Sequence, residues 1–187
     1  MLQKLRPAQS QTDHLFVGTD RYMYFTLSWD ADNRRFRTEK VWDSVADNAA
    51  RESQTGERCH VDPLGRFMTL EVYEGIITVI PLVQRGKKRK NTEPEIAHLG
   101  DPQPSRVGEM FVRSSAFLRP RSQDEKPKLA LLYENTVGKV QLKLKELSFS
   151  GPDVVVEDGE QVRADLELGA NHLIPLEGPS RKSAKSL

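Results

Sequence analysis

The chain has 187 residues, 28 Lys and Arg against 27 Asp and Glu, and a net charge of +1. That balance argues against a bulk electrostatic nucleic-acid binder, which needs a clear excess of positive charge. The lone Cys59 excludes an intramolecular disulfide framework. No run has the length of a membrane-spanning helix. The opening residues lack the apolar core of a signal peptide, so the expected compartment is cytosol or nucleus.

In chain order, the dominant signal is period-2 alternation, the mark of strands. From Tyr22 to Trp29 one face carries Met23, Phe25, Leu27 and Trp29; the other carries Tyr22, Tyr24, Thr26 and Ser28. A turn at Asp30-Ala31-Asp32-Asn33 leads into a second strand, Arg35 to Val41, giving a hairpin. From Trp42 to Arg51 too few apolar residues share a helical stripe, and a loop is expected.

Arg58-Cys59-His60-Val61 predicts a short strand. Asp62-Pro63-Leu64-Gly65 predicts a turn, since Pro presets φ and Gly tolerates positive φ. Arg66 to Tyr73 alternates, with Met68, Leu70 and Val72 on one face. After Glu74-Gly75, the run Ile76 to Leu82 is apolar on both faces apart from Thr78, as in a strand covered on both sides. These three strands make an antiparallel meander.

A second meander follows: a weak strand within 109–117, Leu129 to Tyr133, a turn at 134–138, and Lys139 to Leu147. In the last, Val140, Leu142 and Leu144 are expected inward and Gln141, Lys143 and Lys145 outward. Val154 to Val156 and the alternating Val162, Ala164, Leu166 and Leu168 predict two more strands, and His172 to Ile174 is a possible start of another. The stretch 84–108, with three prolines, is expected to be a long loop, and 176–187 a disordered tail. The class is all-β: short strands and tight turns suit a sandwich, a barrel or propeller blades.

Chemistry-bearing constellations are sparse. There is no Gly-x-Ser-x-Gly elbow and no phosphate-cradling glycine loop. His14, His60, His98 and His172 are scattered, and Cys59 and His60 point to opposite faces of a strand, so no metal or cofactor is expected. Cys59 fits a small buried hydrophobe. Glu157, Asp158 and Glu160 lack the alternating spacing of a calcium loop and fit a solvated hairpin tip. The sharpest charged feature is Arg85-Gly86-Lys87-Lys88-Arg89-Lys90, either a nuclear-import or phosphate-contact run or a solvated loop.

One block carries a resemblance. Arg51-x-Ser53-x-Thr55-Gly56, then Asp62-Pro63, Arg66, Leu70, Tyr73-x-Gly75 and Val79-Ile80-Pro81-Leu82 resemble the N-terminal propeller of the large subunit of the UV-damaged-DNA-binding complex. That family includes the large subunit of the cleavage and polyadenylation specificity factor and a splicing factor 3b subunit. Leu15-Phe16-Val17, Leu131-Leu132-Tyr133, 164–170 and Leu173-Ile174-Pro175 agree in order. The resemblance implies a partial β-propeller built of antiparallel meander blades over 1–175. At about 40–50 residues per blade, the length suffices for about four blades, fewer than the seven of the family's first propeller, so a truncated copy is expected.

The resemblance further implies a non-enzymatic scaffold for protein partners in nuclear DNA repair and cullin–RING ubiquitin ligation. Nucleic acid would be reached indirectly, through a complex, with no membrane and no small-molecule substrate. It gives Asp62, Pro63, Arg66, Tyr73, Gly75 and Pro81 structural roles. The alternatives are an RNA-processing scaffold of the sister branches and, from another class, a small β-sheet hydrolase with two converging carboxylates.

Overall fold

The computed structural model describes residues 1–8, 10–19, 23–43, 58–82, 99–162, 170, 172 and 173. Among these there are twelve strands and no helix. They form three four-stranded antiparallel sheets, each in plain chain order. The first sheet holds β1 (Leu2–Leu5), β2 (His14–Gly18), β3 (Met23–Asp30) and β4 (Arg35–Asp43). The second holds β5 (Arg58–Val61), β6 (Phe67–Glu71), β7 (Ile76–Pro81) and β8 (Gln103–Arg106). The third holds β9 (Val112–Phe117), β10 (Lys128–Glu134), β11 (Val140–Ser150) and β12 (Asp153–Asp158).

The leading strands converge: β1 touches β5, and β5 touches β9. Three meanders stacked face to face, with their first strands along one line, are propeller blades around an axis. Apolar side chains fill the two seams. Phe16, Tyr24 and Trp42 of the first sheet pack on Met68, Leu70 and Ile80 of the second. Phe67, Ile77 and Val79 of the second pack on Leu129, Leu131 and Leu147 of the third. The middle sheet is therefore covered on both faces. All five residues of β6 are buried, which accounts for the apolar character of both faces of β7.

Three described strands are absent from those expected from alternation: β1, β8, and β2, whose Leu15-Phe16-Val17 entered only through the resemblance. β1 has only Leu2 and Leu5 as apolar residues, and β8, Gln-Pro-Ser-Arg, has none. β8 lies inside the stretch 84–108 expected to be a loop. It exists because β7 offers it a partner, with Thr78 opposite Pro104, and an edge position tolerates the proline. The loop expected over Trp42–Arg51 is overturned at its start, because β4 continues through Trp42 to Asp43; its remainder 44–51, the strand expected over 163–169 and the tail 176–187 lie outside the described residues.

One side-chain direction departs from expectation, and one left open by the sequence is decided by the fold. Lys145, expected outward, is 4% exposed. Its ammonium sits 2.7 Å from Glu109 and 2.6 Å from Asp158, so two carboxylates compensate its burial. Lys143 joins the same pair of acids at 2.8 Å each. In the first sheet the more polar face of β3 is the buried one: Tyr24, Thr26 and Ser28 point to the core. The outward face is laid out in cross-strand rows, Leu2–Val17–Phe25–Val41, then Lys4–Leu15–Leu27–Thr38, then Trp29–Phe36.

Candidate interaction surface

Where the leading strands meet, β1, β5, the end of β9 and the loop after it enclose an open cavity of about 1080 Å³. Gln3, Cys59, His60, Phe117, Arg119 and Arg121 are among its lining residues. The strands place them there because each blade's first strand faces the axis. Cys59 packs against the first core and is half-buried; burial pushes its thiol up to about 11, so it stays protonated near neutrality.

Below this cavity a polar cluster crosses the seam between the second and third sheets. His60 Nε2 lies 2.9 Å from the Ser115 hydroxyl, which donates to Glu71 Oε1 at 2.5 Å. Arg58 Nε binds Glu71 Oε2 at 3.1 Å and its Nη1 reaches the Arg113 carbonyl at 3.3 Å. Burial holds the His60 imidazole below its usual range; Arg58 pushes the same way and Glu71 opposes. In a hydrolytic triad the imidazole sits between hydroxyl and carboxylate. Here the hydroxyl sits between the other two, is buried, and spends its only proton on Glu71. The arrangement joins blades; it does not prepare a nucleophile.

A second junction forms at the turn 62–66. The buried Asp62 carboxylate accepts from Arg66 N at 3.1 Å, Nε at 2.8 Å and Nη2 at 3.1 Å. Arg66 Nη1 then reaches the Glu125 carbonyl at 2.5 Å, tying the second blade to the third. Gly65 has φ +67°, and a Cβ there would meet the Arg6 carbonyl at 2.0 Å, because the loop after β1 crosses directly over this turn. Ala8 N donates to Gly65 O at 2.7 Å. Pro63 lines the cavity beside this turn. Gly75, φ +68°, leaves room for the Met110 sulfur beside half-buried Tyr73. Pro81 closes β7 opposite Phe67, and its carbonyl accepts from Gly100 N at 2.7 Å.

Arg85, Lys87, Lys88, Arg89 and Lys90 lie outside the described residues, as does His98. Among the described residues no three or more His, Cys, Asp or Glu side chains are grouped to hold a metal. Glu157, Asp158 and Glu160 do not converge on a cation: Asp158 is taken by Lys143 and Lys145, and Glu157 lies 3.7 Å from Lys126. The cross-blade cluster is invisible in the sequence, since 55 residues separate His60 from Ser115 and 44 separate Glu71 from it.

Residues 1–183 match the family model described as the RSE1/DDB1/CPSF1 first beta-propeller. The chain belongs to this first-propeller family. It is 36% identical over 173 residues to DNA damage-binding protein 1 of Schizosaccharomyces pombe, covering 92% of this chain and 15% of that protein. It is 29% identical over 178 residues to DNA damage-binding protein 1a of Arabidopsis thaliana, covering 95% of this chain and 15% of the relative. The rice DNA damage-binding protein 1 is 28% identical over the same length. The chain thus spans about 15% of the length of the curated relatives it matches. The three radial sheets account for the family match: they are blades of a first propeller, a partial copy of the ring.

Proposed function

We propose that this chain is a non-enzymatic scaffold that serves as an adaptor for protein partners in nuclear DNA repair and cullin–RING ubiquitin ligation. The observation that carries the reading is the match of residues 1–183 to the first propeller, together with relatives named DNA damage-binding protein 1. The side-chain chemistry supports it. Two ion pairs near the axis, Arg58–Glu71 and Asp62–Arg66, join groups of the chain to one another and fix blade geometry. We assign Asp62, Pro63, Arg66, Tyr73, Gly75 and Pro81 to the same structural work. Partners are other complex subunits, nucleic acid is reached through them, and the compartment is the nucleus.

Affinity purification of the tagged chain from nuclear extract, followed by mass spectrometry, tests this reading. Co-purification with repair or ubiquitin-ligase subunits is expected. The purified chain by itself should show no preference for UV-irradiated over intact duplex DNA and no binding to a cullin. Recovery of polyadenylation or splicing subunits instead would move the chain to the RNA-processing branches of the same family.

A further inference from the structure

We propose that the seam between the second and third sheets contains a binding site for one water molecule, which joins two polar clusters into a single chain of hydrogen bonds. The first cluster is His60, Ser115, Glu71 and Arg58. The second is Glu109, Lys143, Lys145 and Asp158. Both belong to pairs of elements inside the described blades. Between them lies a cavity of about 10 Å³, the room of about one water. Arg58 and Glu71 line it from the first cluster and Glu109 from the second, with Val107 and Val112 completing the apolar part of the wall.

Two residues of this wall carry buried polar atoms with hydrogen-bonding capacity to spare. Arg58 gives Nε to Glu71 and Nη1 to the Arg113 carbonyl, while its buried Nη2 has no partner. Glu109 is 3% exposed. Its Oε1 is taken by Lys143 at 2.8 Å. Its Oε2 touches the Lys145 ammonium at 2.7 Å without an aligned hydrogen bond, and a carboxylate oxygen accepts more than one donor. Burying such groups dry is costly.

This pair of atoms selects the ligand. Nη2 can only donate. Burial opposes ionisation of Glu109, but Lys143 and Lys145 outweigh it and hold the carboxyl below its usual range, so Oε2 can only accept. A cation would suit the carboxylate and be repelled by the guanidinium; an anion would meet the reverse. A water accepts from Arg58 and donates to Glu109, and nothing larger fits the volume. Arg58 is on β5 and Glu109 on the connection from β8 to β9, so the water ties the second blade to the segment that opens the third. The completed chain runs from His60 at the axial cavity to Asp158 on β12, the outermost strand of its sheet.

A high-resolution crystal structure of the full 187-residue chain tests the proposal directly. One ordered water is expected within about 2.7–3.2 Å of both Arg58 Nη2 and Glu109 Oε2. Direct contact between the two side chains, an ion at that position, or apolar closure of the gap overturns it. In solution, Val107→Ile adds one methylene to the cavity wall. Magnetic relaxation dispersion of the solvent water should then report one long-lived internal water fewer than in the wild type. The unfolding equilibrium should move about fivefold or more toward the unfolded chain, because Arg58 Nη2 and Glu109 Oε2 lose their partner. An unchanged count of long-lived waters overturns the site. So does a variant more stable than the wild type, since filling a dry gap gains packing without losing hydrogen bonds.

Discussion

Ser115 on β9 and His60 on β5 share a hydrogen bond of 2.9 Å across the seam between two blades. Because the Ser115 proton goes to Glu71, the imidazole donates in this bond through Nε2–H. Ser115→Ala leaves Glu71 Oε1 and His60 Nε2 without this partner, and unfolding stability should fall by about 1–3 kcal/mol. Urea titration of the full chain measures it.

Burial of the same imidazole sets a pH dependence. Burial lowers the pKa of His60, and of His14, where Glu39 and Asp13 oppose the shift. An unfolded histidine titrates near 6.5, so below that the unfolded chain binds more protons than the folded one. Stability present at pH 7 should therefore decline on acidification through pH 6.5 toward 5. His60→Gln keeps an N–H donor without a titrating ring. The slope of the urea midpoint against pH over that window should shrink in this variant, and shrink further with His14→Gln.

Asp62 binds Arg66 three times from a fully buried position. Removing one partner of a buried pair costs about 3–5 kcal/mol, and that loss is expected for Asp62→Ala. Gly65→Ala in the same turn should cost more than about 1 kcal/mol from left-handed strain, with the Arg6 carbonyl in the way. Thermal unfolding of each variant gives the order.

Leu70 lies in the seam between the first and second sheets, at 1% exposure. Leu70→Ala is expected to destabilise by roughly 2–5 kcal/mol. Val137→Ala, at an exposed turn, should stay within about 0.5 kcal/mol. A Leu70 effect under half a kcal/mol would mean the strand phase is wrong.

The basic run Arg85, Lys87, Lys88, Arg89 and Lys90 is proposed to act through charge, as an import signal or a phosphate contact. Replacing all five with Gln should leave stability within about 0.5 kcal/mol. Nuclear accumulation of a fluorescent fusion too large to diffuse through the pore should drop, or salt-sensitive nucleic-acid binding should weaken. If both survive, the run is a solvated linker.

The sequence alone determined the strands whose side-chain alternation or apolar run is strong: β3 and β4, β5 to β7, β10 and β11, with their turns at 30–33, 62–65, 74–75 and 134–138. Those signals are local, because a strand half-buried on one face writes its burial into every second residue. The spaced residues from Arg51 to Leu82 also carried the family. Tertiary structure decided what depends on distant neighbours. β8 has no apolar residue and is a strand only because β7 pairs with it. Lys145 looks like a solvent-facing residue until Glu109, 36 positions earlier in the sequence, is folded against it. The choice of which face of β3 points inward was open in the sequence. It was settled by the second sheet, which takes Tyr24, Phe16 and Trp42 into its seam and leaves Trp29 and Phe36 to solvent. Alternation defines two faces of a strand, but only the partner packed against one of them decides which is the core.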